Sequence, residues 1–222
     1  MYVNKKIQTG WSFFLSFIIK HDYHENKGNS MIEKQSTRDR LIHISQVLFL
    51  KQGYGNTGLN QIVAEAKTVK ASLYQHFKSK EELGKVVLKK YSSENLTLLS
   101  ELMIKYPKPL DFVDAWMRIL KREARRNQVF GCPMANVRSQ ISDSSPEILK
   151  SIQEISKETI DRMEKYIVQA QQLGYVKKIL DPKQSARHMF LSYEGVLQLW
   201  RLTGDLKSLD ELHEIVTKIL PN

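Results

Sequence analysis

The 222-residue sequence predicts an all-α protein of about nine helices. Apolar residues recur three and four positions apart over long segments, which is the spacing of one helix face. Runs of β-branched residues are scarce, and the Asn-Gly and Asp-Gly pairs that favour β-hairpins are absent from the sequence. The chain is 41% hydrophobic with ten Gly and six Pro, so it can bury a core and lacks the composition of a disordered or fibrous protein.

Three short helices are predicted first. Ser36 or Thr37 can cap the first helix, and the segment GYGNTG that follows it is rich in turn residues and forms a connector. Thr57 can cap the second helix. The tripeptide at 67–69 is too short for anything but a tight turn, and the third helix spans about 70–76. Two short helices joined by a tight turn form a helix-turn-helix arrangement.

Six further helices follow. The fourth is predicted to begin at Ser79, because Ser79 and Glu82 have the spacing of a capping box, in which the two side chains bond free backbone N–H groups of the first turn. Prolines near the first turns and glycines after the last turns mark further helix ends. The fourth to ninth helices are predicted over about 79–106, 110–126, 133–141, 146–173, 183–203 and 208–220.

Positive charge is concentrated around the three short helices. Residues 31–90 carry 11 Lys and Arg against 5 Asp and Glu, whereas residues 91–222 carry 19 against 17. The formal net charge of the whole chain is +10. A basic first part beside a near-neutral second part indicates a polyanion-binding module joined to something else, and a solvated lysine-rich surface is the alternative.

The first thirty residues differ from the rest. An apolar run of nine residues from Trp11 to Ile19 is too short to span a bilayer, which takes about 20 helical residues. No small-residue cleavage pattern follows this run, and Met31 begins a stretch typical of a soluble domain. We expect residues 1–30 to be an extension upstream of a natural start at Met31. The alternative is an amphipathic arm that packs on the protein body or on a membrane surface.

The basic part resembles the DNA-binding domain of the TetR/AcrR family of bacterial regulators. The resemblance covers TRDRLIHISQVLFLKQGYGNTGLNQIVAEAKTVKASLYQHFKSKEEL, with its most specific residues at Gly53-Tyr54, Ile62-x-x-x-Ala66 and Leu73-Tyr74-x-His76-Phe77-x-Ser79-Lys80-Glu81. It implies a helix-turn-helix DNA-binding domain over 36–84, with its motif at about 58–77. Residues 85–222 would then form a ligand-binding and dimerisation domain.

The third short helix has the residue types that a recognition helix needs. Leu73 and Phe77 lie four positions apart and can hold this helix to a core, while polar and small residues remain for the major groove. The resemblance implies that Tyr74 and His76 contact phosphates or brace the helix, and Lys80 can meet a phosphate at a helix N-terminus. The residues predicted to contact DNA are Thr57, Lys67, Thr68, Lys70, Ala71, Ser72, Tyr74, Gln75, His76 and Lys80. For Tyr74, His76 and Lys80, packing or simple solvation is the alternative.

The chain departs from the family pattern at the turn before this helix. Lys67 stands where the family usually has Gly, and Thr68-Val69 stand where it has Val-Ser. Gly58 stands where Thr is frequent. Lys67 implies a turn that tolerates a side chain and can gain a phosphate contact, and Thr68 can take over the capping of the third helix.

The resemblance implies that the second half forms a homodimer and binds a small-molecule effector. The long apolar helices near 146–173 and 183–203, with the helix after them, are the expected material of a dimer interface. Besides Cys132, the residues expected to sense the effector are Phe112, Trp116, Met134 and Tyr193. Ordinary core packing is the alternative for each of them.

Cys132 is the single cysteine, which excludes an internal disulfide and a CxxC metal site. The segment VFGCPMANVRSQISDSSPEI resembles the Gly-Cys segment of a TetR subgroup in which some members respond to electrophiles or oxidants through that cysteine. Its place before Pro133, at a helix N-terminus, predicts a lowered thiol pKa, with added positive potential from Arg125 and Arg126. A small buried residue at a tight turn is the alternative.

The sequence therefore predicts a DNA-binding transcriptional regulator, namely a homodimeric repressor released from a palindromic double-stranded operator by a small molecule or by modification of Cys132. A sequence-neutral, nucleoid-type DNA-binding protein is the alternative. The sequence lacks P-loop, HExxH and GxSxG motifs and clustered metal ligands, so neither an enzyme nor a cofactor is expected. We expect a cytoplasmic, nucleoid-associated bacterial protein without a membrane partner.

Overall fold

The structure, a computed structural model, describes residues 36–142 and 145–221. The predicted extension over 1–30 lies outside the described residues. Within the described residues the chain forms nine α-helices, one short 3-10 helix and no strand, which confirms the all-α prediction. The α-helices are α1 (Thr37–Lys51), α2 (Leu59–Glu65), α3 (Lys70–His76), α4 (Lys80–Lys105), α5 (Pro109–Arg125), α6 (Pro133–Arg138), α7 (Pro146–Gln172), α8 (Pro182–Thr203) and α9 (Glu211–Ile219).

Capping side chains set the starts of α1 and α4. The Ser36 hydroxyl accepts a hydrogen bond from the backbone N–H of Asp39 at 3.1 Å, and the Ser79 hydroxyl accepts one from Glu82 at 3.1 Å. The Glu82 carboxylate accepts a hydrogen bond from the backbone N–H of Lys78 at 2.6 Å. The reciprocal bond of the predicted capping box is therefore made one residue earlier than in its usual form.

Proline begins four of the later helices. Pro109, Pro133, Pro146 and Pro182 are the first residues of α5, α6, α7 and α8. Proline suits this position because its fixed φ is helical and the N–H that it lacks would have no partner within the helix. At its other end α8 stops at Gly204, whose φ of 72° is in the left-handed region.

Two predicted helices differ from the observed ones. The segment predicted as one helix over 208–220 begins as a 3-10 helix, Leu206–Leu209, and α9 follows it. The reason is a cap at Asp205, whose carboxylate accepts a hydrogen bond from the backbone N–H of Lys207 at 2.9 Å and begins a tighter turn. Helix α6 ends three residues before the predicted end at 141.

Two hydrophobic cores hold the helices together. The first joins α1, α2, α3 and the start of α4, through Leu41, Ile42, Leu48, Phe49, Tyr54, Ile62, Val63, Ala66, Leu73, Phe77, Leu83, Val87 and Leu88. Met134 and Val137 of α6 and Ile148, Ile152 and Ile155 of α7 belong to the same core. The three short helices are therefore packed directly against the second half of the chain.

The second core joins the later part of α4 to α5, α7, α8 and α9. Helix α4 thus contributes to both cores, and it runs without interruption through the predicted domain boundary at residues 84 and 85. The division into two domains remains a prediction. None of the described helices is long and apolar enough to cross a membrane.

Candidate functional site

Helix α3 is held to the first core by two side chains. Leu73 and Phe77 are almost completely buried, and the guanidinium carbon of Arg38 lies 5.5 Å from the centre of the Phe77 ring. These two positions are four apart, so they lie on one side of α3. Their predicted anchoring role is confirmed by this burial.

The rest of the α3 surface is largely exposed and mainly polar. We call it the recognition face, and it consists of Lys70, Ala71, Ser72, Tyr74, Gln75 and His76. All of these residues are exposed except Ser72, which is half-buried. Six of the ten residues predicted to contact DNA therefore lie together on one short helix, although their contact with DNA stays a prediction.

Val69 adds an exposed apolar side chain at the start of α3. It is the N-cap residue and 61% of its surface is exposed. An apolar side chain in this position can contact the methyl group of a thymine. Sequence reasoning did not select Val69, because a β-branched residue in a turn gives no local signal for exposure.

The turn between α2 and α3 is a Schellman motif with Lys67 in the left-handed conformation, at φ 50°. The backbone N–H of Thr68 donates to the Val63 carbonyl at 2.9 Å, and that of Lys67 donates to the Ala64 carbonyl at 3.1 Å. A lysine thus occupies the position that glycine normally takes. Because Val69 is the N-cap of α3, the prediction that Thr68 caps this helix is wrong.

Arg40 of α1 braces the same turn. Its Nε donates a hydrogen bond at 3.1 Å to the carbonyl of Ala66, the C-cap residue of α2. This bond satisfies one of the carbonyls that a helix C-terminus leaves without a partner inside the helix. Arg40 is a positioning residue that the sequence did not reveal, since the contact joins residues far apart in the chain.

The prediction that Thr57 contacts DNA is wrong. Thr57 is completely buried, and its hydroxyl donates a hydrogen bond to the Gly53 carbonyl at 2.7 Å. Thr57 does not cap α2 either, because the N-cap of this helix is Gly58. The Thr57 hydroxyl is thus bonded to the carbonyl four residues earlier, and it is not available to cap α2 or to contact DNA.

Lys80, at the start of α4, is half-buried. Its Nζ lies 4.4 Å from the centre of the Tyr54 ring, and burial lowers the pKa of its ammonium group. Burial, with a further contribution from Glu81, raises the pKa of Tyr54 to about 12. The neutral ring and the ammonium group therefore form a cation–π pair. A contact between Lys80 and a DNA phosphate would have to compete with this pair.

A cavity of about 110 Å³ lies where α1 meets α4, α5 and α8. Trp116 and Tyr193 both line it, and their rings stack with centroids 4.2 Å apart. The other lining residues are Gln46, Val47, Leu50, Lys51, Tyr91, Glu94, Asn95, Leu98, Ile119, Leu120, Glu123, Gln128, Val129, Phe130, Gly131 and Leu197. Any molecule in this cavity would touch both the first helix of the basic part and the helices of the second half.

Two of the predicted effector residues do not line this cavity. Phe112 is fully buried in the second core, where its ring packs against Trp116 and Tyr166. Met134 is buried in the first core, because α6 packs under the short helices. The prediction that these two side chains line a pocket is therefore wrong for this cavity, and the alternative of core packing applies to both.

Sequence reasoning missed the polar residues of the cavity, among them one amide and two carboxylates. Gln46 of α1 donates a hydrogen bond from Nε2 to the Glu94 carboxylate of α4 at 3.1 Å. Glu123 of α5 is buried and lines the same cavity. Glu94 and Glu123 each lie on the apolar face of a helix. A carboxylate in such a position was the feature of the sequence that could have identified them as cavity residues.

Cys132 is half-buried beside the cavity, and its thiol hydrogen-bonds with the side chain of Glu194. Burial and the charge of Glu194 raise the pKa of the Cys132 thiol to about 12. The backbone N–H groups of Met134 and Ala135, at the start of α6, act in the opposite direction and are outweighed. The prediction of a lowered thiol pKa is therefore wrong, since desolvation and a neighbouring carboxylate exceed the helix dipole.

Helix α6 connects the second half to the connector between α1 and α2. Arg201 of α8 donates a hydrogen bond to the Asn136 side chain at 2.6 Å. Two residues after α6 ends, the Gln140 side chain accepts a hydrogen bond from the backbone N–H of Gly55 at 2.8 Å. A shift of α8 can thus reach the connector through a single short segment.

Comparison with known proteins agrees with this architecture. The family model described as "Bacterial regulatory proteins, tetR family" matches residues 42–86, which extend from α1 to the start of α4. The model described as "Tetracyclin repressor-like, C-terminal domain" matches residues 108–216, which extend from α5 into α9.

Individual proteins are similar to part or most of the chain. The transcriptional repressor DhaR of Mycobacterium sp. (strain GP1) is 25% identical over 184 residues, which cover 82% of this chain and 91% of DhaR. The transcriptional repressor NemR of Escherichia coli (strain K12) is 30% identical over 70 residues, 32% of this chain and 35% of NemR. The reduced form of E. coli NemR superposes with a TM-score of 0.75 at 19% identity, over 84% of this chain and 98% of that one, which shows the shared fold.

Proposed function

Because this chain belongs to the TetR family of bacterial regulatory proteins and is a DNA-binding transcriptional regulator, we propose that it is a homodimeric repressor of a palindromic operator. The recognition face of α3 enters the major groove in each half of the operator. A small molecule that enters the cavity weakens the complex with DNA. Two recognition helices in a dimer then lie about one turn of DNA apart, roughly 34–36 Å.

The observation that carries the proposal is the contrast between the two sides of α3. Leu73 and Phe77 are buried and fix the helix, while the recognition face presents an amine, an amide, a phenol and an imidazole to solvent. Hydrogen-bonding groups on a rigidly held helix are what base-edge readout in the major groove requires. The basic balance of the surrounding segment favours the phosphate contacts that supply most of the affinity.

Homodimerisation is supported by exposed apolar side chains along two neighbouring helices of the second half. They lie on α7, on α8 and on the loop between them, namely Val168, Leu173, Ile179, Leu191, Leu199 and Leu202. A soluble protein seldom leaves so many large apolar side chains exposed on neighbouring elements unless a partner covers them. Pairing of α7 and α8 with the same helices of a second copy gives a four-helix interface.

Release by a small molecule is supported by the position of the cavity. Its wall includes Gln46 and Leu50 of α1, so that a ligand shifts a helix that shares a core with α3. A coupling of about 1–3 kcal/mol lowers affinity for DNA by roughly 5- to 150-fold. The raised pKa of the Cys132 thiol favours this route over modification of Cys132, since the thiolate is the reactive form.

Selection of binding sites from a random duplex library tests the DNA-binding proposal. We expect enrichment of a two-fold symmetric site and an affinity at least about 1,000-fold above that for scrambled duplex at the same salt concentration. Tyr74→Ala should reduce this ratio, whereas Lys183→Ala, an exposed change at the start of α8, should not. Equal affinity for selected and scrambled DNA would instead identify a sequence-neutral DNA-binding protein.

Sedimentation of matched variants tests the dimer proposal. Leu202→Glu places a charge among the exposed apolar side chains of α8 and should shift the protein towards monomer. Ile104→Glu is the control, because Ile104 is equally apolar and exposed but lies on α4. A wild-type protein that sediments as a monomer at micromolar concentration, or two variants with equal effects, would exclude this interface.

A further inference from the structure

The cavity contains buried hydrogen-bond acceptors that nothing in the described part of the chain satisfies. Only 1% of the Gln46 surface and 3% of the Glu123 surface is exposed. Gln46 Oε1 and Glu123 Oε2 have no hydrogen-bond partner among the described residues, and both residues line the cavity. Buried polar groups are nearly always hydrogen-bonded in folded proteins, so such a pair points to a ligand that donates hydrogen bonds.

A third acceptor belongs to Glu94. Burial raises the pKa of its carboxyl group, while the hydrogen bond from Gln46 and the charge of Lys90 act in the opposite direction. A positively charged donor placed next to this carboxylate would offset the effect of burial. The acceptors therefore favour a cation over a neutral donor.

The cationic side chains near the cavity do not donate hydrogen bonds to these free acceptors. Arg122 and Arg126 lie 2.7 and 3.7 Å from Oε1 of Glu123, and neither forms a hydrogen bond with Oε2. Among the described residues that line the cavity, Lys51 is the one cationic side chain, and it is exposed at the end of α1. The cavity thus retains buried hydrogen-bond acceptors that lack a donor among the described residues.

The rest of the wall fits an apolar body. Trp116 and Tyr193 present stacked rings, Tyr91 adds a third, and Leu98, Ile119 and Leu197 are among the aliphatic lining residues. Aromatic faces attract a cation as well as an apolar ring. A volume of about 110 Å³ is of the order of cavities known to accept one benzene-sized molecule.

We infer that the cavity binds a small organic cation, a single-ring or similarly sized amine whose ammonium group donates to Gln46, Glu94 and Glu123. The inference rests on the proposed function only in treating this cavity as the effector site. It also specifies how the ligand acts. The ammonium group bridges α1 to α4 and α5, so the effector ties the first helix of the DNA-binding part to the helices of the second half.

Calorimetric titration of the full chain with three probes of equal size tests this inference. The probes are benzylammonium, benzyl alcohol and benzoate. Benzylammonium should bind at least about 10-fold more tightly than benzyl alcohol, because a hydrogen bond to a charged group is stronger than a neutral one, and benzoate should bind least. Tighter binding of benzyl alcohol or benzoate, or no binding of any probe up to its solubility limit, would overturn the inference.

Matched variants locate the binding. Glu94→Gln keeps the size of the side chain and should bring benzylammonium and benzyl alcohol to nearly equal affinity. Glu101→Gln, an exposed position on the same helix, should leave the preference for benzylammonium unchanged. Glu123→Gln is the second cavity variant, and thermal unfolding verifies that each variant is folded. A preference for benzylammonium that survives both cavity variants would place the cation elsewhere.

Two further measurements separate this inference from the proposed function. Tyr74→Ala, which alters the recognition face, should lose affinity for DNA and bind benzylammonium like the wild type. Mobility shifts of selected operator DNA with and without benzylammonium then measure the coupling. Cavity binding without any change in DNA affinity would contradict the proposed effector role and leave the ligand class intact. Operator release without cavity binding would contradict the inferred binding of a cation in the cavity and leave release by a small molecule intact.

Discussion

The recognition face and the cavity place their polar groups in opposite environments. On α3 the polar side chains are exposed, and two buried neighbours four residues apart hold them in place. In the cavity, Gln46, Glu94 and Glu123 come from three different helices and are wholly or partly buried. A surface for a hydrated polyanion needs rigidity beneath exposed donors, whereas a site for a small cation needs acceptors that have lost their water.

The largest expected effect tests the rigidity beneath the recognition face. Phe77→Ala should lower the free energy of unfolding by about 3–5 kcal/mol, because the ring is only 1% exposed within the first core. Tyr74→Ala, three residues earlier on the exposed side, should change stability by less than about 0.5 kcal/mol. Urea unfolding measures both changes. Similar losses in the two variants would mean that the two sides of α3 do not differ as described.

The next effect concerns Gly84 of α4, where the connector after α1 and the start of α7 approach α4 in the first core. A Cβ atom at this position would lie 2.8 Å from Cε2 of Tyr54 and 3.1 Å from Cδ1 of Ile148. Gly84→Ala should therefore lower the free energy of unfolding by about 1–2 kcal/mol, since the overpacking exceeds the gain in helix propensity.

The control for Gly84 is an exposed position on the same helix. Thr97→Ala also raises helix propensity but shortens an exposed side chain and adds no atom to the core, so it should change stability by less than about 0.5 kcal/mol in the same urea titration. A stabilised Gly84→Ala protein would show that Tyr54 and the start of α7 give way easily. The first core would then be too compliant to transmit a shift of α7 to the DNA-binding part.

The recognition region was predictable because its determinants are local. Capping by Ser79 and anchoring by Leu73 and Phe77 depend on residues three or four positions apart, and all are present in the structure. Thr57 shows the limit of this reasoning, since its hydroxyl has a choice between the next helix and the Gly53 carbonyl behind it. Both hydrogen-bond partners are evident from the sequence, but the sequence does not show which of them the hydroxyl contacts.

The cavity was only partly predictable, because its residues meet through tertiary packing. The pair formed by Gln46 and Glu94 joins positions 48 apart in sequence. Helical spacing correctly identified Trp116 as an inward residue, but it gave Phe112 and Met134 the same role. Periodicity shows which side of a helix is buried, and it does not show whether the buried side meets a cavity or one of two separate cores.

A third prediction compares two helix ends that have the same geometry in the two regions. Asn127 ends α5 next to the cavity in a Schellman motif like that of Lys67, with φ 55° and a hydrogen bond from the Gln128 N–H to the Glu123 carbonyl at 3.0 Å. Lys67→Gly should raise the free energy of unfolding by about 1 kcal/mol, because only glycine adopts this conformation without strain. Asn127→Gly should gain less than about 0.5 kcal/mol, since asparagine tolerates the left-handed region.

Affinity for DNA should separate the same two variants. If the Lys67 side chain contacts a phosphate, Lys67→Gly reduces the slope of the logarithm of affinity against the logarithm of salt concentration by about 1. Asn127→Gly should leave this slope unchanged. A Lys67→Gly protein that is more stable and keeps the full slope would show that Lys67 remains at the turn without contacting DNA.

The smallest expected effect on stability concerns Glu194, the carboxylate that interacts with the Cys132 thiol. Burial raises the pKa of the Glu194 carboxyl group above 4.5, although the hydrogen bond with Cys132 acts to lower it. The folded protein therefore holds this proton more tightly than the unfolded chain. Stability is lost as the pH rises from 4.5 through the raised pKa, and the loss is complete above it. Glu194→Gln should thus be more stable than wild type at neutral pH, with a gain that disappears below about pH 4.5 in urea titrations.

The same variant distinguishes the causes that keep the Cys132 thiol protonated. Glu194 is the second contribution to the raised pKa of Cys132, after burial. Its removal should increase the rate at which iodoacetamide alkylates Cys132 at pH 8, because alkylation requires the thiolate. Glu101→Gln, on the exposed surface of α4, is the control and should leave the rate unchanged. An unchanged rate in Glu194→Gln would mean that burial alone keeps the thiol protonated.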